Sequence, residues 1–185
     1  MRNNLNNKKV FAVCEIGLDY HNVNYNKQQQ IEVFEKQIKL ANEFGLPVSI
    51  HSRESFEDTI SVLEKNEYLL KNGGVIHCFS GSPEIAKRFV KLGFKLGFGG
   101  VCTFKNARKV VETIKQIDAK DILLETDAPY LSPEPFRGQL NEPKRTNIVL
   151  EKIAELKNLD VKFLEEQIYL NTLEVFKRYK NNTEI

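Results

Sequence analysis

Apolar residues along this chain fall into two alternating kinds of run. Short stretches rich in Val, Ile, Leu and Phe occupy Val10 to Ile16, Pro47 to His51, Gly74 to Phe79, Phe94 to Gly99 and Ile122 to Thr126. They show little polar alternation, as expected of strands buried on both faces. Between them lie segments with helical spacing. Ile31, Phe34, Ile38, Ala41 and Phe44 recur every three or four residues, and Gly45 falls where a C-terminal cap belongs. Phe56, Ile60 and Leu63 mark a second helix. A third starts with Ser82 as N-cap and Pro83 at its first position, and stops at Gly93. Phe104 to Ile117 makes a fourth, and Val149, Ile153 and Leu156 mark a fifth. Asp160 caps a last helix with Leu164, Ile168 and Phe176 on its buried face.

Strand and helix alternating at this spacing predict βαβ units around a parallel sheet. A doubly wound sheet and a barrel both fit that pattern. The positions of the polar residues separate them. In a βα barrel the active site is assembled from the C-terminal ends of several strands. Here the first predicted strand ends at Glu15, the second at His51, the third at His77 and the fifth at Asp127. A doubly wound nucleotide binder instead carries a Gly-rich turn after its first strand, and IGLDY has none. Singly, each of the four has a structural explanation. Glu15 suits a buried carboxylate paired with Arg53 or a lysine, Asp127 suits a turn before Ala-Pro, and a lone His, as His21 is read, is an ordinary polar residue. Four coincident strand ends favour a site.

Two imidazoles and two carboxylates suit zinc, manganese or a similar borderline ion. Paired ions ~3.5–4 Å apart activate water and steady both oxygens of a displaced phosphate. Glu15 is the best candidate for a shared ligand, because its two oxygens can serve two ions. Arg53, Lys105 and Arg137 follow strand ends and are candidate phosphate contacts. Lys87, Arg88 and Lys91 read as ordinary surface charge on an outer helix. Tyr130 and Phe136 are placed either to stack on a base or to fill the fold.

Composition adds boundaries. The 185 residues suffice for one ordinary domain, with no repeat or linker, so residues 1–185 are expected to form a single domain. No run approaches the roughly 18 apolar residues of a membrane span, and MRNNLNNKKV lacks the apolar core of a secretory signal. Cys14, Cys78 and Cys102 are expected to be buried, reduced thiols of a cytoplasmic protein. A net charge of +2 decides nothing about nucleic acid.

The strand ends also carry a family resemblance. EIGLDY (15–20), PVSIHSRES (47–55), GVIHCFSG (74–81), GGVCTFKNA (99–107), LLETDAPYLSP (123–133) and FRGQLNEP (136–143) resemble, in order, the motifs of the TatD family of metal-dependent deoxyribonucleases. The resemblance implies a TIM-type (β/α)8 barrel, a centre of divalent cations (two in the complete barrel) and hydrolysis of phosphodiester bonds, commonly of DNA. It makes Glu15, His51, His77 and Asp127 metal ligands, with Glu15 and Asp127 as the catalytic carboxylates and Asp127 handling the proton of the attacking water. Leu140 departs from it, standing where a basic residue or proline commonly precedes Asn-Glu-Pro.

A larger departure is that the chain contains no H-x-H, the pair with which the family's first strand ends. The five strands resemble the family's fourth to eighth, so the expected fold class is α/β, a partial barrel. Such a barrel takes ~250 residues, and the first three βα units are expected to be missing. On the family's arrangement Glu15, His51 and His77 form one complete ion site, while Glu15 and Asp127 supply part of another. Impaired hydrolysis and poor stability alone are then expected, with a second chain as a possible donor of the missing strands. Two alternatives stand beside the nuclease. One is hydrolysis of a different ester, such as a D-aminoacyl-tRNA, and the other is an inactive remnant or partner subunit.

Overall fold

The computed structural model describes residues 2–21 and 24–178. Five strands, β1 (Val13–Asp19), β2 (Val48–Arg53), β3 (Gly74–Ile76), β4 (Phe94–Phe98) and β5 (Ile122–Leu124), form one sheet in the order β1-β2-β3-β4-β5. Every neighbouring pair is parallel. Six helices follow in turn: α1 (Lys27–Glu43), α2 (Phe56–Lys65), α3 (Pro83–Lys91), α4 (Arg108–Gln116), α5 (Thr146–Lys157) and α6 (Val161–Val175). The strand order never reverses, so there is no switch point of the doubly wound kind. Parallel connections between consecutive neighbours are right-handed as a rule, which puts the helices on one face, as in a barrel wall. β1 and β5 each have one strand neighbour among the described residues, so the sheet is an open arc.

The helix-facing side of that arc is the core. Val13, Ile16 and Leu18 of β1, Val48 and Ile50 of β2, and Phe94, Leu96 and Phe98 of β4 are all buried there. Phe34, Ile38 and Ala41 are the buried stripe of α1, whose N-cap Asn26 accepts from the Gln29 N–H at 3.0 Å. Phe79 joins Phe56, Phe89 and Phe98 in an aromatic cluster with centroid separations of 5.5 to 6.2 Å. That cluster braces the chain just after His77 from behind. Asp160 caps α6 by accepting from the Phe163 N–H at 3.0 Å. Phe176 lies one residue past α6 and packs against a small separate group of Val75, Leu123 and Val175.

Several boundaries differ from expectation. The first strand begins and ends three residues later than Val10 to Ile16, and Glu15 lies inside it. Its polar residues Glu15 and Asp19, with Gly17, alternate with the buried Ile16 and Leu18. One face is therefore polar, the opposite of a strand apolar on both sides. β3 and β5 stop at Ile76 and Leu124, short of Phe79 and Thr126, and the chain passes through positive φ at Cys78 (45°) and Asp127 (55°). The fourth helix starts at Arg108 because Gly100–Thr103 forms a separate 3-10 turn. Cys14 is exposed and Cys78 half-buried, contrary to the reading of three buried thiols, and Cys14 lies in the irregular stretch of β1. All three cysteines are free. No helix among the described residues is long and apolar enough to cross a membrane.

Phe89 is fully buried and touches both Phe56 and Phe79. Phe89→Ala is expected to lower the unfolding free energy by about 3–5 kcal/mol, read from the shift of the urea midpoint at unchanged slope.

Candidate metal centre

The polar face of β1 meets β2 across an irregular register. Val13 pairs with Val48 but Ile16 pairs with Ile50, so three steps on β1 match two on β2. The extra residue is a bulge, a device that re-aims a side chain. It keeps both Val13 and Ile16 in the core, with Glu15 on the polar face it shares with Gly17 and Asp19. Beyond it, Gly17 pairs with His51, and a Cβ there would lie 2.0 Å from the His51 carbonyl oxygen. Only glycine, at φ +139°, lets β1 approach this closely. His77 directly follows β3, and its N–H extends the ladder by donating to the Ile50 carbonyl at 2.8 Å.

One carboxylate reaches both imidazoles. Glu15 Oε1 lies 3.0 Å from His77 Nε2, and Glu15 Oε2 lies 3.9 Å from His51 Nδ1. Asp127 Oδ1 approaches the same His77 Nε2 at 3.3 Å. The structure thus gathers all four anticipated residues, with His77 at the centre. His77 is well buried, its side chain 14% exposed against 47% for Glu15. The Asp127 loop is held by Asn141, which donates to the Thr126 carbonyl at 2.7 Å and whose N–H donates to the Pro129 carbonyl at 2.9 Å. Buried Arg145 supports the same loop by donating to Ser132 Oγ and to the Leu140 carbonyl while stacking on Phe136.

Two carboxylates escaped the sequence reading. Glu125 Oε2 lies 2.5 Å from His77 Nδ1, and Glu125 Oε1 accepts from the Cys78 N–H. Asp19 Oδ2 lies 3.0 Å from His51 Nε2, and Asp19 Oδ1 accepts from the His21 N–H at 2.9 Å. The signal was present as spacing: Asp19 is four after Glu15 on one face of β1, and Glu125 is two before Asp127 in the segment that follows β5. Burial pulls the His77 pKa down, but the hydrogen bond and charge of Glu125, with Glu15 and Asp127, carry it up to about 9. Burial pushes the Asp19 carboxyl up, and the His21 N–H and His51 ring outweigh it to leave the pKa lowered.

Among the described residues, His77, Cys78 and Glu125 have donor atoms all within 4.8 Å of one another. That trio is already internally bonded, because both Glu125 oxygens have partners. The Cys78 thiol is also pushed strongly up by burial and then by Glu125. Glu15, His51, His77, Cys78 and Asp127 all face one cavity.

These donors, apart from the buttressing carboxylates, line a cavity of about 570 Å³ with Arg53, Phe98, Val101, Tyr130 and Leu131. That is within the usual size of small-ligand sites. Neither Lys105 nor Arg137 lines it. The Arg137 guanidinium stacks 4.2 Å from the Phe104 ring centroid, tying the loop after β5 to the loop after β4. Phe136 lies under Arg145, whereas Tyr130 is 70% exposed. Leu140, also exposed, lies outside the cavity wall. His21 pairs with Glu54 at 2.7 Å, away from the cavity.

Comparison with known proteins agrees with this geometry. A family model described as "TatD related DNase" matches residues 1–177. YabD of Bacillus subtilis, named an uncharacterized metal-dependent hydrolase, is 49% identical over 152 residues, which cover 82% of this chain and 59% of YabD. YcfH of Escherichia coli K12, named in the same way, is 37% identical over 157 residues, covering 85% of this chain and 59% of YcfH. This chain therefore spans about three fifths of the length of these curated relatives. The crystal structure of YjjV, a TatD homologue from Escherichia coli K12, superposes with a TM-score of 0.90 at 35% identity, over 95% of this chain and 68% of that one. A TatD family hydrolase from Entamoeba histolytica, with a TM-score of 0.79 at 22% identity over 91% of this chain and 64% of its own, shares the fold. The open five-stranded arc is thus part of a TIM-type barrel, and the chain belongs to the TatD family.

Proposed function

We propose that this chain is the ion-binding side of a metal-dependent hydrolase that cleaves DNA phosphodiester bonds. The observation that carries the reading is the single Glu15 carboxylate set against two imidazoles, one oxygen to each. The donor set fits a divalent ion: nitrogen and carboxylate oxygen on separate strands, converging at one rim of a cavity. Glu15, His51 and His77 would hold one ion. Glu15 and Asp127 would share a second with the H-x-H pair that the family resemblance assigns to another strand. A divalent cation there, zinc or manganese by donor type, supplies charge that polarises a phosphoryl oxygen and acidifies a water.

The protein's own groups do the rest. Asp127 Oδ1, beside His77 Nε2, receives the proton of the attacking water. Arg53, exposed at the cavity wall, binds a non-bridging phosphate oxygen. Exposed Tyr130 offers a face for a neighbouring base. Phe98, Val101 and Leu131 form a dry wall that strengthens charge interactions at the reacting phosphate. The choice of DNA is supported by the description of the matching family model, and hydrolysis by the names of the relatives. Free thiols favour the cytoplasm as the place of action. The open edges of β1 and β5 are where strands carrying H-x-H would close the barrel, from one polypeptide or from a second chain.

Titration of the metal-free chain with zinc, followed by elemental analysis, is expected to give one firmly held ion and a second only weakly held. Glu15→Gln should weaken the first by about 100-fold or more, and two tightly held ions in the unaltered chain would contradict this division. Single-stranded DNA should be degraded with added manganese and spared by His77→Ala. Absence of turnover in both would point to an inactive subunit, and turnover of a charged tRNA in place of DNA would reassign the ester. Arg53→Ala should raise KM roughly tenfold with little change in kcat, as loss of uniform binding requires.

A further inference from the structure

The two histidines of the centre are held in the same way, by opposite nitrogens. His77 turns Nε2 to Glu15 at 3.0 Å and Nδ1 to Glu125 at 2.5 Å. His51 turns Nδ1 to Glu15 at 3.9 Å and Nε2 to Asp19 at 3.0 Å. Each outer carboxylate is itself anchored, because its other oxygen accepts a backbone N–H, from Cys78 at Glu125 and from His21 at Asp19. Neither is free to swing towards the cavity without abandoning a backbone donor. The β4 wall is built around one of them. A Cβ at Gly97 would lie 2.8 Å from the Glu125 carboxylate atoms, so glycine is the residue that leaves room for it.

We propose that Glu125 and Asp19 are positioning residues that fix opposite tautomers of the two rings, so that an ion is met by Nε2 of His77 and by Nδ1 of His51. The inference rests on the metal-centre reading above and adds which ring atoms serve it and what holds them. The physical ground is that a neutral imidazole has one N–H and one lone pair. An anchored carboxylate facing Nδ1 of His77 keeps the proton there and leaves the Nε2 lone pair for the ion, and Asp19 imposes the converse on His51. Carboxylate partners of this kind also raise ligand basicity and hold ring orientation.

An isosteric amide breaks the arrangement without changing its size. Glu125 accepts from two donors through two oxygens, and glutamine has one oxygen and an NH2 group. Glu125→Gln therefore sets an N–H2 against either the His77 ring N–H or the Cys78 N–H. Asp19→Asn does the same between His51 and the His21 N–H, at a half-exposed position where loss of folding is not expected.

The test measures zinc affinity of the unaltered chain, Glu125→Gln and Asp19→Asn, together with the 15N imidazole signals of the zinc-loaded proteins. The unaltered chain should carry zinc on His77 Nε2 and His51 Nδ1, with protons on the opposite nitrogens. Each variant should lose zinc affinity by about 10–100-fold while the metal-free urea midpoint shows the fold intact. Gly97→Ala, which crowds Glu125 without touching a ligand, should lose affinity in the same direction. If the unaltered chain takes up no zinc, the metal-centre reading falls and the inference with it. If it takes up zinc on His77 Nδ1, or if both amide variants bind as tightly as the unaltered chain, the inference alone is overturned.

Discussion

Glu15 meets both imidazoles from a stretch of β1 that carries one residue more than β2 opposes, between Val13 and Ile16. A regular parallel ladder would keep strict alternation and leave Cys14 and Glu15 on opposite faces. The bulge lets Val13 stay in the core together with Ile16 and Leu18, while Glu15 shares the concave side with Gly17 and Asp19. Gly17 then allows β1 to lie against the His51 backbone. The relative height of Glu15 and His51 is therefore set by backbone pairing, which a packed core enforces. Function here is an outcome of register.

The same geometry concentrates negative charge. Glu15, Asp19, Glu125 and Asp127 surround two imidazoles at the concave rim, with Arg53 the cation in the cavity wall. Like charges this close are mutually destabilising unless something positive joins them. In the protein alone His77 serves that purpose, its pKa carried up to about 9 by the acids around it. A divalent cation supplies more charge at the same place, and must displace that proton to bind. The acids gathered at the rim favour positive charge there, and the raised pKa of His77 reflects it.

Behind the rim the support is apolar and aromatic. Phe79 lies two residues after His77 and packs among Phe56, Phe89 and Phe98. On the other flank, Asn141 and Arg145 reach back from the loop after β5 to hold the segment around Asp127 through its carbonyls and Ser132. Arg137 proved to belong to this scaffolding, stacked on Phe104, and Lys105 lies outside the cavity wall. Basic residues after strand ends are equally suited to both duties.

Alternating apolar runs and helical stripes were enough to establish a parallel βα architecture, because strand burial and helix amphipathicity are local properties of residue order. The convergence of Glu15, His51, His77 and Asp127 was legible too, because strand ends in such a sheet share one rim. Asp19 and Glu125 went unnoticed, although Asp19 shares a face of β1 with Glu15 and Glu125 stands two residues before Asp127. Which nitrogen of each ring faces Glu15, the bulge that keeps both Val13 and Ile16 in the core, and the space that Gly97 leaves for Glu125 depend on residues distant in sequence. Sequence order determines which way a side chain alternates along its own strand. The offset between strands, and so which donors touch, arises only when the sheet is assembled and its core closed.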